Sequence, residues 1–429
     1  MKSIMNPRFY SLLILVTVII SCNKTIPKYE DGEQDIELNT QTTDVTGLRV
    51  FEVKAATTGE IGTEYSGFIA KENELTGQLL KSYLGTDEPF ILSPLSIQLA
   101  LDMLYPAADG ETAQEIANVV GLDADKNISA SYASAVIESL ACSAKDVKLA
   151  IGNLCVADKR SLLLDDGYEK LIGEKFYAPV AYLDFGKPEQ VVNTVNKWCE
   201  RQTEGLIPAL FGAPDDLNGV LYLLNSLLCK GGWSYGKLEQ IGNLPFYKKG
   251  GEPKDMPMLE TSDFLYLKNG QNIVAGLTLG KERRFEYDMF MPEDGDLNAA
   301  ADLISKNEAV ATNSVFGALK MPEFSTELKV ELKEPLERLG MHKVFTQQAE
   351  LPALGGNAYV EEIFQKAKIS VGETGLEAAA VTVVEVFPTD SGPGQEEPEP
   401  VYVTINHPFV YILRDRVTGL ILFAGAYTK

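Results

Sequence analysis

The residues best suited to covalent chemistry are Gly232-Trp233-Ser234-Tyr235-Gly236, a match to Gly-x-Ser-x-Gly, the turn that lifts a nucleophilic serine between a strand and a helix. A hydrolase built there needs a histidine base, and the chain has two candidates, His342 and His407. A strand does precede the motif, but Gly242 and Pro245 interrupt the helix that must follow it. His342 closes a helix in the turn Leu339-Gly340-Met341-His342, and His407 is pinned before Pro408 in an apolar strand, so both read as structural. Metal chemistry has no better footing. Cys142, Cys155, Cys199 and Cys229 form no Cys-x-x-Cys pair, and with two histidines they give no zinc ligand set. They read as free thiols, three of them in apolar or helical surroundings. No glycine-rich loop with a lysine cradles a phosphate. The chain is therefore read as neither an enzyme nor a cofactor protein.

The most distinctive pattern in the chain lies in the stretch from Gly372 to Asp390. Read with a period of two, Leu376, Ala378, Ala380, Thr382, Val384 and Val386 form a small or aliphatic face. The alternate set holds Glu377, Ala379, Val381, Val383, Glu385 and Phe387, whose glutamates need water. The run from Val381 to Val386, rich in β-branched residues, favours extended backbone. Pro388 to Pro400 then brings proline, glycine, serine and acids, which cannot hold a sheet position. A segment able to form a strand thus runs into an exposed loop.

Several elements must position that stretch. Ser93-Pro94-Leu95-Ser96-Ile97 starts a helix with serine as N-cap and proline at the first helical position, continuing through Leu99 and Met103. The segment from Ala107 to Thr112 breaks it and opens a second helix with Ile116, Val119 and Val120 on one face. Val191, Val192, Val195 and Trp198 recur at helical spacing between Pro188 and Thr203, ending near Gly205. Val220 to Cys229 is nearly all apolar, as a central strand covered on both faces requires. Leu332 to Phe345 reads as a helix and turn leading into a strand over Ile363–Val371. No linker composition interrupts the chain between residue 61 and Pro388, so residues 61–429 form one domain.

The beginning of the chain has a separate logic. Lys2 and Arg8 precede an apolar core from Leu12 to Ile20, too short to span a bilayer and typical of an export signal over residues 1–21. Ile19-Ile20-Ser21-Cys22 fits a bacterial lipobox, with Cys22 as the lipidated residue. Removing the two cations takes the formal charge from −23 to −25, which argues against nucleic acid or an anionic membrane face as a partner. From Asn23 to about Gly47 the chain is polar with a threonine-rich run, so residues 22–60 read as a lipidated, flexible tether.

The pattern Glu373, Gly375, Glu377-Ala378-Ala379-Ala380 and Thr382 resembles the hinge of inhibitory serpins. His407-Pro408-Phe409, Arg414-Asp415, Thr418-Gly419 and Ile421 to Gly425 resemble that family's closing strands. Asn196, Trp198, Thr203 and Gly205 are similar to its helix across the front of the sheet, and the block from Ser93 to Thr112 to its buried helix. The resemblance covers about Gly67 to Lys429. It implies an α+β fold of three β-sheets with about eight or nine helices and a reactive-centre loop over about residues 375–403. It also implies a shutter and breach at Ser93, Ser96, Asn225, Trp233 and Gln365. Two positions depart from the pattern: Leu376 stands where Thr or Ser is usual, and Gln365 replaces a frequent histidine. An amide there can bridge buried polar groups such as Asn225 or Ser96.

The function this implies is suicide inhibition of serine endopeptidases. A protease cleaves near Thr389-Asp390, and residues 376–389 insert as a strand on the order of 45 Å long at about 3.3 Å per residue, carrying the acylated protease with them. No Lys or Arg lies between Lys368 and Arg414. The expected targets are therefore elastase-like or subtilisin-like serine proteases, with papain-like cysteine proteases as a further class, and not trypsin-like ones. The expected setting is a monomeric bacterial lipoprotein at the outer membrane or cell surface. The competing reading is a non-inhibitory surface binding lipoprotein with the same shell, which charged, bulky or proline hinge residues would signal; only Leu376 leans that way.

Overall fold

The computed structural model describes residues 12–22, 53, 55–56, 59–86, 88–142, 146–248, 250–306, 311, 313–355, 358–376 and 399–428. Strand β1 (Leu12–Cys22) comes first, followed by helix α1 (Ser66–Tyr83), β2 (Phe90–Leu92) and α2 (Pro94–Leu104). Then come α3 (Gly110–Val120), α4 (Lys126–Ala141), β3 (Val147–Asp158), α5 (Asp166–Lys175), β4 (Val180–Leu183), α6 (Pro188–Gln202) and β5 (Leu221–Gly232). Strands β6 (Glu239–Phe246), β7 (Lys254–Asn269), β8 (Asn272–Leu279) and β9 (Phe285–Pro292) precede α7 (Leu297–Ser305). The chain closes with β10 (Asn313–Pro322), β11 (Phe324–Glu331), α8 (Lys333–Arg338), β12 (Ala358–Gly372), β13 (Gly375–Leu376), β14 (Val401–Thr404), β15 (Phe409–Asp415) and β16 (Ile421–Tyr427). This is the expected α+β architecture, with eight α-helices among the described residues.

One sheet runs β11, β12, then β1 and β13 in the same lane, then β5, β3 and β4. The other strands form a nine-stranded network from β14 through β10, β7, β8, β9, β15 and β16 to β2, with β6 also on β7. The two smaller sheets expected from the sequence are thus joined through the long strand β7, which pairs with β6 over residues 254–260, with β10 over residues 258–266 and with β8 over residues 265–269.

The apolar run of β5 is explained by what covers it. Leu221, Leu223, Leu227 and Cys229 face the main core, while Tyr222, Leu224 and Leu228 face a second cluster with Val191, Val195 and Trp198 of α6. Helix α6 therefore lies across one face of the sheet. It is fastened there by Asn196, whose Nδ2 donates to Phe211 O (2.9 Å) and whose Oδ1 accepts from the Leu210 and Phe211 amides. On the other face α2 is buried along its whole length. Its N-cap is the predicted one: Ser93 Oγ accepts from the Ser96 amide at 3.1 Å, with Pro94 at the first helical position.

The N-terminal apolar segment takes a place that composition did not foretell. Leu12–Cys22 is a central strand, antiparallel to both β5 and β12, with Val18 fully buried in the main core. Its β-branched residues Ile14, Val16, Thr17, Val18, Ile19 and Ile20 suit an extended backbone. Of residues 22–60, those described near the end already touch the body: the Ala56 amide donates to Glu138 O, and Val53 packs against the core. Most of that span lies outside the described residues. Among them no helix is long and apolar enough to cross a membrane.

Candidate functional site: the sheet opening and its hinge

Strands β5 and β12 stand one strand-width apart and face each other across a lane filled by two segments end to end. At one end is β13, where Gly375 pairs with Gly232 and Gly372, and Leu376 with Gly231 and Val371. Below it is β1, starting with Leu12 opposite Cys229 and Leu13 opposite Lys368. The hinge is therefore already seated in the mouth of the lane. Gly375 is the residue that allows this, because its φ is 144° and a Cβ would lie 2.1 Å from Gly231 O. Leu376 is fully buried. Its side chain, larger than the Thr or Ser usual at this position, is met by Gly231 directly across, which contributes no side chain.

The breach around this mouth is held by β5 and the turn after it. Trp233 Nε1 donates to Gly372 O at 2.9 Å, and the Trp233 amide to Thr374 O at 3.2 Å. The Leu238 amide donates to Glu373 O at 2.8 Å, and Lys237 Nζ forms an ion pair with the Glu373 carboxylate. Lys237 carried no signal in the sequence, since its pairing with Glu373 exists only in the folded chain.

Further down, the shutter is a buried polar ladder. Gln365 Oε1 accepts from the Ser93 amide (3.0 Å) and Gln365 Nε2 donates to Ser93 O (3.1 Å), while Ser93 Oγ donates to Leu422 O (2.6 Å). The amide thus bridges the main chain of Ser93 rather than Asn225 or Ser96. The reason is geometric: Val16 of β1 stands opposite both Asn225 and Gln365, which puts those two residues two strand spacings, or roughly 10 Å, apart. Asn225 turns instead to β3, its Nδ2 donating to Asn153 Oδ1 at 2.7 Å. Three buried oxygens in this region have no hydrogen-bond partner: Asn225 Oδ1, Ser96 Oγ and Thr17 Oγ1.

The expected hinge residues Glu377, Ala378, Ala379, Ala380 and Thr382, and the bond Thr389-Asp390, lie outside the described residues. Cys22 ends β1 opposite Ala358.

The serine of Gly232–Gly236 is committed to structure. Ser234 Oγ donates to Gly280 O at 2.6 Å and accepts from Thr278 Oγ1 at 2.8 Å, and no helix follows before β6. His342 presents its main-chain amide to Glu115. His407 does not lie in a strand, as β15 begins at Phe409; it is exposed, stacked on Tyr247 with ring centroids 5.1 Å apart. Neither histidine is a hydrogen-bond partner of Ser234. Cys155, Cys199 and Cys229 are buried as free thiols, burial pushing the Cys229 thiol up to about 12. No group of His, Cys, Asp and Glu suited to a metal occurs among the described residues.

Sequence reasoning missed a buried acid pair behind α2. Glu72 accepts from Tyr132 Oη at 2.7 Å, and burial raises its carboxyl to about 7, the tyrosine bond opposing. Asp102 accepts from Gln98 Nε2 at 2.8 Å and is also pushed well above the carboxylate range, by burial first and then by Glu72. At the closing strands, Arg414 binds Glu286 (2.8 Å) and Asp288 (3.0 Å), while Arg284 binds Asp415 (2.8 Å), fastening β15 to β9.

Comparison with known proteins agrees with this geometry. The family described as Serpin (serine protease inhibitor) matches residues 70–429. Iripin-8 of Ixodes ricinus is 29% identical over 83% of this chain and 92% of its own length, and Serine protease inhibitor 2 of Anopheles gambiae is 26% identical over 83% and 90%. Among solved structures, the thermophilic serpin tengpin in its native state superposes with a TM-score of 0.71 at 22% identity, over 91% of this chain and all of tengpin. A lane between two strands with a glycine hinge seated in its mouth is what such an inhibitor needs: the chain belongs to the serpin family of serine protease inhibitors.

Proposed function

We propose that this chain is a suicide inhibitor whose loop, cleaved near Thr389-Asp390, enters the lane between β5 and β12 as a full strand. One observation carries the reading. Gly375 and Leu376 pair with both walls in a register that, continued, sets Ala380 opposite Leu227 and Ala367, Thr382 opposite Asn225 and Gln365, and Val384 opposite Leu223 and Ile363. Leu223 and Leu227 face the main core, so the small and aliphatic face of the loop would be the buried one. Glu377 would come beside Lys230, and Glu385 beside Glu362, a carboxylate already bound by Lys329 at 3.3 Å. Burial of each large aliphatic side chain supplies about 1.5–3 kcal/mol, so the uncleaved state is metastable.

The targets are elastase-like or subtilisin-like serine proteases, with papain-like cysteine proteases as a further class, because the loop offers no basic residue. The mature chain begins at lipidated Cys22 and acts as a monomer at the outer membrane or surface of a bacterium, its polar tether holding the body off the lipid.

Residues 23–429 mixed with an elastase-like protease are expected to give a band stable to denaturation and a released fragment beginning near Asp390, and no reaction at the loop with a trypsin-like protease. Ala380→Glu, which would bury an unpaired charge opposite Leu227, should convert the inhibitor into a substrate. Stable complexes formed by Ala380→Glu would overturn the insertion reading. Loop cleavage without a covalent band in the unsubstituted chain would favour the non-inhibitory surface protein.

A further inference from the structure

We infer that the N-terminal segment Leu12–Ser21 is a placeholder strand, which occupies the lane reserved for the reactive loop until the chain is cut at Ser21-Cys22. The strand and the continued loop register compete for the same partners. Leu12 takes Cys229, Ile14 takes Leu227, Val16 takes Asn225, Val18 takes Leu223 and Ile20 takes Leu221. Those are the positions that Ala378, Ala380, Thr382, Val384 and Val386 would fill by extension from Gly375 and Leu376. With β1 in place the lane is filled immediately below Leu376, and the loop can advance no further.

The occupant is a provisional one, because its polar residue is one position out of step. β1 sets Val16, which has no hydrogen-bonding group, opposite Asn225 and Gln365, and leaves Asn225 Oδ1 without a partner. The next residue, Thr17, is fully buried with its own Oγ1 unpaired. The loop carries the reverse order, Thr382 then Val383. Its hydroxyl would arrive where Asn225 Oδ1 lacks a donor, and its valine where Thr17 wastes a hydroxyl. The lane is thus matched in polarity to the loop and only in shape and hydrophobicity to β1.

Covalent attachment is what lets the weaker strand hold the lane. About 30 residues connect Cys22 to Val53, enough to reach on the order of 100 Å, and such a tether supplies an effective concentration of about millimolar. Hydrolysis of Ser21-Cys22, water adding hydroxyl to the Ser21 carbonyl and a proton to the Cys22 amine, removes that advantage. The freed strand is then diluted and the lane opens. The consequence for inhibition rests on the function proposed above; the occupancy of the lane does not.

The test compares the full chain 1–429, produced uncleaved, with residues 23–429 and with full-chain Val18→Asp, by hydrogen exchange, thermal unfolding and complex formation with an elastase-like protease. In the full chain, amides of residues 12–22 should exchange on the order of 100-fold more slowly than an unstructured peptide. The full chain should also unfold at a higher temperature than 23–429 and form no covalent complex. Val18→Asp, which puts a charge into the main core, should release the segment and restore the behaviour of 23–429. Random-coil exchange at residues 12–22, or equal unfolding temperatures for the two lengths, overturns the inference. Should 23–429 form no covalent complex, the inhibitory reading fails, while protection of residues 12–22 and the stability difference still decide the placeholder.

Discussion

Replacing Gly375 by alanine tests whether the seated hinge depends on the backbone freedom of one residue. The new Cβ would lie 2.1 Å from Gly231 O and 2.7 Å from Gly232 Cα, both backbone atoms of β5 that no rotamer change can move. The φ of 144° is also one that alanine rarely adopts. Gly375→Ala should therefore expel β13 from the lane. Returning the fully buried Leu376 to water costs about 1.5–3 kcal/mol, and each lost ladder bond about 0.5–1.5 kcal/mol. Regained backbone freedom offsets this by about 1–2 kcal/mol per residue, so the net destabilisation is on the order of 2 kcal/mol. Urea unfolding measures that difference. Hydrogen exchange at residues 373–376 and Trp233 fluorescence locate it, since the Trp233 indole donates to Gly372 O and should become wetter as the hinge leaves. Native protection at the Leu376 amide in Gly375→Ala would refute the reasoning.

Gln365→Leu should leave the Ser93 amide buried without an acceptor, since Ser93 O keeps the Ile97 amide but Ser93 N has no second partner, and cost about 1–3 kcal/mol in urea unfolding. A value within about 0.5 kcal/mol of the parent would show that the shutter does not need this bridge. The Glu72 carboxyl, raised by burial from 4.5 to about 7, stabilises the fold fully below pH 4.5, and that contribution is lost as pH rises through about 7. The window amounts to about 3 kcal/mol at about 1.4 kcal/mol per unit. Glu72→Gln should flatten most of the fall in stability seen by urea unfolding between about pH 4.5 and 7, while Asp102 beside it leaves a residual slope; coincident slopes for the two chains would remove Glu72 as the cause.

Local physics made much of this molecule legible in its sequence. Ser93 and Pro94 specify a helix start by satisfying an orphan amide and presetting φ, and the structure has that cap. The nearly continuous apolar run before Cys229 read as a strand buried on both faces, and the spacing of Val191, Val195 and Trp198 marked the helix that covers one of them. The cap, the strand and the helix depend on neighbours in the chain, so periodicity and residue type suffice to find them. Gly375 was legible as a hinge element only through the serpin resemblance, and the need for glycine there follows from its approach to Gly231 O.

Tertiary structure alone decided who pairs with whom across the sheet. Leu376 looked oversized until Gly231, well over a hundred residues away, proved to be opposite it. Gln365 was expected to reach Asn225 or Ser96, and binds the Ser93 main chain because a strand separates the two walls. Glu72 and Asp102 gave no sign of a shared environment, since their proximity comes from α1 packing on α2. The segment Leu12–Ile20 has the composition of a leader and also the β-branching of a strand, and its seat in the lane between β5 and β12 comes from long-range pairing that composition does not encode. Sequence fixes what each segment is able to be; long-range backbone pairing and burial determine which of those possibilities is realised.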